Sequence, residues 1–216
     1  MQTSCQFKKW SGLMLLWTVV VLGSHTGMAY SAPKTVLVLG DSLSAEYGLV
    51  RGTGWVALLA QRLHEKKYDV DVINASISGE TTSGGASRIA DLLKKHRPDM
   101  VIVELGGNDG LRGLSLDAAQ QNFRAIISTC QRAHASVLLV GMQIPPNYGR
   151  RYTDKFTAMY PALAREMHVA LVPFLLEGVA DKPELLQADQ IHLTAAAHPR
   201  LLDNVWPFFS PLLTGK

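Results

Sequence analysis

The chain has 216 residues, of which 47% are apolar and 18% charged, a balance that builds one substantial buried core and excludes a disordered tail. The formal charge is +3, but Lys8 and Lys9 stand in an N-terminal segment without acids, and outside it 19 basic residues face 18 acidic ones. Bulk charge therefore gives no reason to expect a nucleic-acid or membrane-surface protein.

The elements begin with a targeting pattern. Lys8 and Lys9 precede an apolar run, LMLLWTVVVLG (13–23), and the small residues of GMA (27–29) follow. This positive, apolar, small order is that of a secretory signal, and the run is shorter than the ~20 residues of a membrane-spanning helix. A signal is expected at 1–29, cleaved after Ala29 because Pro33 disfavours a cut after Ala32. Residues 30–216 are then one domain, exported to the periplasm or secreted, with no stable membrane anchor after cleavage. Cys5 leaves with the signal, so Cys130 stands alone: it can form neither an intramolecular disulfide nor a Cys-based metal site, and it reads as a small core residue.

Five β-branched, apolar runs follow: TVLVLG (35–40), DVDVINAS (69–76), MVIVELGG (100–107), SVLLVGMQ (136–143) and VALVPF (169–174). Helical periodicity occupies roughly 54–66, 84–96, 117–133 and 154–167. A last helical segment, 194–213, is interrupted by Pro199 and Pro207. Alternation of this kind predicts an α/β fold: a five-stranded parallel sheet between two helical layers. In the order 2-1-3-4-5, the loops after the first three strands become neighbours at the carboxyl rim, where such sheets bind ligands.

The unusual polar residues fall on that rim. Ser42 follows the first run, Ser78-Gly79 the second, and Gly106-Gly107-Asn108-Asp109 the third. A serine hydroxyl needs a base to take its proton, best a histidine oriented by a carboxylate. ADQIHLT (188–194) offers Asp189 and His192, three apart and able to face one way in a tight turn. The N–H groups of Ser42 and Gly79 and the amide of Asn108 are candidate donors for an oxyanion. Asp41 and Asp109 read as turn formers, Arg150 and Arg151 as a solvated loop, and Tyr148 as part of a loop flanking an acyl groove. His198 is the rival base, but no acid stands three residues before it. No G-x-S-x-G is present, which excludes the nucleophile elbow of the α/β-hydrolases.

GDSLSA (40–45), Gly79 in NASISGE, GGND (106–109) and DQIH (189–192) together resemble the four blocks of the SGNH, or GDSL, hydrolases. VELGGNDGLRG (103–113) and PPNYGRRY (145–152) resemble stretches of that family's bacterial periplasmic thioesterase and lysophospholipase group. The resemblance implies a flavodoxin-like three-layer α/β/α sandwich. It makes Ser42 the nucleophile, Asp189 and His192 its partners, and Ser42, Gly79 and Asn108 the oxyanion hole. It further implies small-molecule acyl esters and thioesters as substrates and no metal or organic cofactor; no nucleic-acid partner is expected from the charge balance, and the chain is expected to be a monomer. A carbohydrate acetylesterase is the alternative within the family, and a non-catalytic acyl- or glycan-binding protein the alternative outside catalysis. Two positions depart from the family pattern: Glu46 stands where glycine is usual, and Leu193 where proline commonly follows the histidine.

Overall fold

In the computed structural model five parallel strands pair in the order 2-1-3-4-5, as the sequence predicts. The residues described are 1–3 and 33–214, so the signal read at 1–29 lies, beyond its first three residues, outside them. Strand β1 (Lys34–Gly40) is central and pairs with β2 (Val70–Asn74) on one side and β3 (Met100–Glu104) on the other. Strands β4 (Ser136–Val140) and β5 (Ala170–Val172) continue outward from β3. Every residue of β3 is buried, and β1 is buried from Val36 onward. That is the cost and the reason of a β-branched run: both faces are covered. Edge strand β2 is only half-buried and accordingly alternates polar residues into its sequence.

Helices α1 (Trp55–Glu65) and α6 (His198–Thr214) cover one face of the sheet. Helices α2 (Thr82–His96), α4 (Leu116–Arg132) and α5 (Arg150–Glu166) cover the other. Thr81 and Ser115 cap α2 and α4 by accepting the N–H groups of Gly84 and Ala118, each at 3.3 Å, as hydroxyls at that position do. Cys130 is buried in α4, as expected of a small core residue. Pro33–Lys216 forms one compact unit.

The sequence reading differs in three places. Helix α5 begins at Arg150 and not 154, directly after Gly149. Helix α6 begins at His198, after a short 3₁₀ turn at Ala195–Ala197. It runs through Pro207, because Leu201, Leu202, Val205, Phe209 and Leu213 bury one face and tertiary packing outweighs the lost donors. Pro199 sits in the first turn, where no backbone donor is required. Finally, the Gly-Gly-Asn-Asp stretch is not a plain turn: it opens the five-residue helix α3 (Gly107–Leu111). Gly106, at φ 100°, makes this abrupt entry possible. A side chain there would run into the Tyr160 hydroxyl, which donates to the carbonyl of Leu105 at 2.9 Å.

Candidate active site

Strand β1 ends at Gly40, and the chain then winds through a tight turn in which the Asp41 carbonyl accepts the N–H groups of Ser44 (3.2 Å) and Ala45 (2.9 Å). The Asp41 carboxylate accepts the Leu43 N–H at 3.0 Å. Ser42 is carried at the head of this turn. From the far end of the chain, residues 186–193 fold into a narrow loop closed by an antiparallel bridge between Leu186 and Leu193. Inside the loop, Asp189 accepts the backbone N–H groups of Ile191 and His192, each at 3.0 Å. It also receives His192 Nδ1 at 2.6 Å. His192 Nε2 lies 2.9 Å from Ser42 Oγ, across 150 residues of sequence. The hydrogen bond from His192, reinforced by the two backbone donors, holds the Asp189 carboxyl down at about 2.

The oxyanion candidates gather on the adjoining loops. Asn108 sits in the first turn of α3, and its Nδ2 donates to Asp41 Oδ2 at 3.0 Å. This fixes the amide and leaves its second N–H unspent. Gly79 adopts φ 78°, a left-handed conformation that glycine alone takes without strain. Arg112 Nη2 donates to the Gly79 carbonyl at 3.0 Å and reaches Asn108 Oδ1 at 3.5 Å, so one guanidinium ties the two loops together. Among the described residues, the N–H groups of Ser42 and Gly79 donate to no protein acceptor.

Beneath the turn lies a pair of acids. Asp41 and Glu104 are 2% and 1% exposed. Glu104 Oε2 accepts the Ser44 hydroxyl at 2.7 Å and the Asp41 N–H at 3.3 Å. Burial, and then the neighbouring Asp41, push the Glu104 carboxyl well above its ordinary range. Burial likewise raises Asp41, to about 6. The reading of Asp41 as a turn former is therefore half of its role: it also aims the Asn108 amide. Asp109 is corrected more fully, since its carboxylate accepts the Thr82 N–H (2.9 Å) and hydroxyl (2.6 Å) and braces the start of α2. Glu104 carried a signal in the sequence, as the one acid closing an otherwise apolar strand.

The rival base is elsewhere employed. His198 is buried, and its Nδ1 accepts the Trp55 N–H at the start of α1, at 3.0 Å. Glu46 is at φ 58°, which explains why glycine suits this position. Its carboxylate turns away from Ser42 to accept the N–H groups of Gly52 (3.0 Å) and Gly54 (2.7 Å). Leu193 is buried beside the histidine, where it anchors the loop. Arg150 and Arg151 are exposed, as expected of solvated side chains, but they form the first turn of α5 and not a loop. Tyr148 and Tyr152 donate to the carbonyls of Leu111 (2.9 Å) and Leu114 (2.8 Å), so the loop after β4 leans on the segment that carries Asn108.

A parallel sheet presenting serine, histidine and aspartate in one chain of hydrogen bonds at its carboxyl rim is the arrangement of a serine hydrolase. Comparison with known proteins makes the class specific. The chain belongs to the GDSL-like Lipase/Acylhydrolase family, whose description matches residues 38–200. It is 51% identical to Esterase TesA of Pseudomonas aeruginosa over 183 residues, covering 85% of this chain and 91% of that protein. It is 44% identical to Thioesterase 1/protease 1/lysophospholipase L1 of Escherichia coli, covering 85% of this chain and 86% of that one. Among solved structures, the psychrotrophic esterase EstA from Pseudoalteromonas sp. superimposes with a TM-score of 0.80 at 39% identity, covering 84% of this chain and 99% of that one.

Proposed function

We propose that the chain is a serine hydrolase that cleaves acyl esters and thioesters through an acyl-enzyme on Ser42. The observation that carries this reading is the continuous contact from Asp189 through His192 to Ser42, at 2.6 and 2.9 Å. His192 Nε2 takes the hydroxyl proton as Ser42 Oγ attacks the acyl carbonyl. The carbonyl oxygen becomes an oxyanion, received by the N–H groups of Ser42 and Gly79 and the free N–H of Asn108. Collapse breaks the bond to the alkoxide or thiolate, which leaves with the proton from His192. Water then attacks the acyl-enzyme and gives a proton to His192; collapse breaks the bond to Ser42 Oγ, which takes that proton back from His192 as the carboxylic acid leaves. Asp189 stays ionised throughout and holds Nδ1–H, so that Nε2 faces the serine.

The names of the relatives support esters, thioesters and lysophospholipids as substrates, and the likeness to the thioesterase and lysophospholipase group supports fatty acyl thioesters and aryl esters among them. The order of Lys8-Lys9, apolar run and small residues supports export to the periplasm, with residues 30–216 as one monomeric catalytic domain. The test is a profile of acyl-chain length on thioesters, oxygen esters and lysophospholipid. Turnover of both esters and thioesters is expected, and it disappears in Ser42→Ala. No hydrolysis of any of the three would overturn the reading.

A further inference from the structure

We propose that Tyr47 is a positioning residue for His192: its ring stacks on the imidazole and holds the rotation that points Nε2 at Ser42. The inference rests on the roles given above to Ser42 and His192. The two ring centroids lie 4.2 Å apart with the planes tilted by 35°, a tilted ring-on-ring contact closer than most aromatic pairs.

The need for such a contact follows from the reaction. An imidazole held in its plane by two hydrogen bonds loses one of them when Ser42 Oγ becomes acylated, and the remaining bond to Asp189 leaves the ring free to rock. A ring pressed on its face resists that rotation whatever Nε2 is bonded to. The same π face favours the imidazolium formed after proton transfer.

Among the described residues, His192 is the aromatic ring that Tyr47 meets. Tyr47 is 49% exposed and stands apart from the hydrophobic core. The left-handed turn at Glu46 presents it, and its N–H donates to the Ser42 carbonyl at 3.3 Å. Gln187 completes the arrangement: its Nε2 donates to the carbonyls of Tyr47 (2.9 Å) and Leu193 (2.8 Å). Its backbone N–H donates to the His192 carbonyl at 2.7 Å. The loop that carries the serine and the loop that carries the histidine are thereby fastened side by side, with Tyr47 at the seam.

The experiment compares Tyr47→Ala and Tyr47→Phe in the purified chain. Tyr47→Ala is expected to lower kcat about tenfold with KM changed less than about twofold, because the contact acts on the base and not on bound substrate. Inactivation by a fluorophosphonate should slow in step. Tyr47→Phe, which keeps the ring, should stay within about twofold of the parent in both measurements. A second readout needs no substrate: the downfield Nδ1 proton of His192 in the NMR spectrum stays sharp in Tyr47→Phe and broadens by exchange in Tyr47→Ala. Parental kcat in Tyr47→Ala, an unchanged Nδ1 signal, or a Tyr47→Phe variant as impaired as Tyr47→Ala would each overturn the proposal. Should Ser42→Ala retain turnover, the hydrolase reading fails, while the Nδ1 signal still reports on the stack.

Discussion

Asp41 Oδ2 accepts a hydrogen bond from Asn108 Nδ2 at 3.0 Å, joining the residue before the serine to a donor 67 positions away. The acid of the Gly-Asp-Ser stretch thus couples two loops that would otherwise be set independently. Asn108→Ala should lower kcat by ~10²–10³ with little change in KM. Asp41→Asn offers one acceptor where two donors, Leu43 N–H and Asn108 Nδ2, require one each, and should lower kcat by about tenfold or more. Because both act through one amide, the double variant should be barely slower than Asn108→Ala alone. Steady-state kinetics of the three variants check this.

Glu104 predicts a pH effect on stability. The unfolded chain ionises this carboxyl at the ordinary glutamate value of 4.5, whereas burial makes the folded chain keep the proton to a higher pH. Its contribution is fully present below 4.5 and is lost as pH rises through the folded value. Glu104→Gln keeps an acceptor for the Ser44 hydroxyl and has nothing to ionise. The Tm of Glu104→Gln relative to the parent should therefore rise by about 2–4 °C or more between about pH 5 and pH 8, as a change of about 1 kcal/mol gives in a domain of this size. Thermal unfolding at the two pH values decides it.

Asp189 behaves in the opposite sense. Its carboxyl is lowered from 3.8 to about 2, so its contribution is present above 3.8 and fades only as pH falls toward 2. Loss of turnover in mild acid will not come from this residue. Asp189→Asn presents the wrong partner to Nδ1–H and should lower kcat by ~10²–10⁴ while the fold stands. Kinetics together with circular dichroism check both halves.

His198 separates structure from catalysis. Its ring is buried and lowered from 6.5 to about 4, so it is neutral in the folded chain at neutral pH. The stability it supports is present above 6.5 and is lost as pH falls toward 4. His198→Ala orphans the Trp55 N–H and opens a cavity, and should cost about 2 kcal/mol of stability. Turnover below the unfolding temperature should persist. Denaturant melts and initial rates on the same preparation read the two effects apart.

Much of this was legible in the sequence, for reasons that particular residues make plain. Ser42 could be placed because a run of five apolar or β-branched residues must end a buried strand, and strands of a parallel sheet share one rim. Asp189 and His192 could be paired because three residues in a tight turn suffice to close their hydrogen bond. The pairing of Asp41 with Glu104 was not legible, although Glu104 stood out as an acid closing an apolar strand. An aspartate after a glycine reads as a turn, and a glutamate at the close of MVIVE reads as a strand end, while their meeting depends on the register that sets Gly40 against Glu104. Tyr47 and His192 stack across most of the chain, through a loop of no regular structure. No local pattern announces such a contact.

The most direct test of the central claim is to treat the purified chain with a fluorophosphonate and map the adduct by mass spectrometry. A single adduct is expected on the peptide containing Ser42, formed in parallel with loss of esterase activity and absent from both Ser42→Ala and His192→Ala. An adduct on another residue, or labelling of Ser42→Ala at the parental rate, would contradict the assignment of the nucleophile.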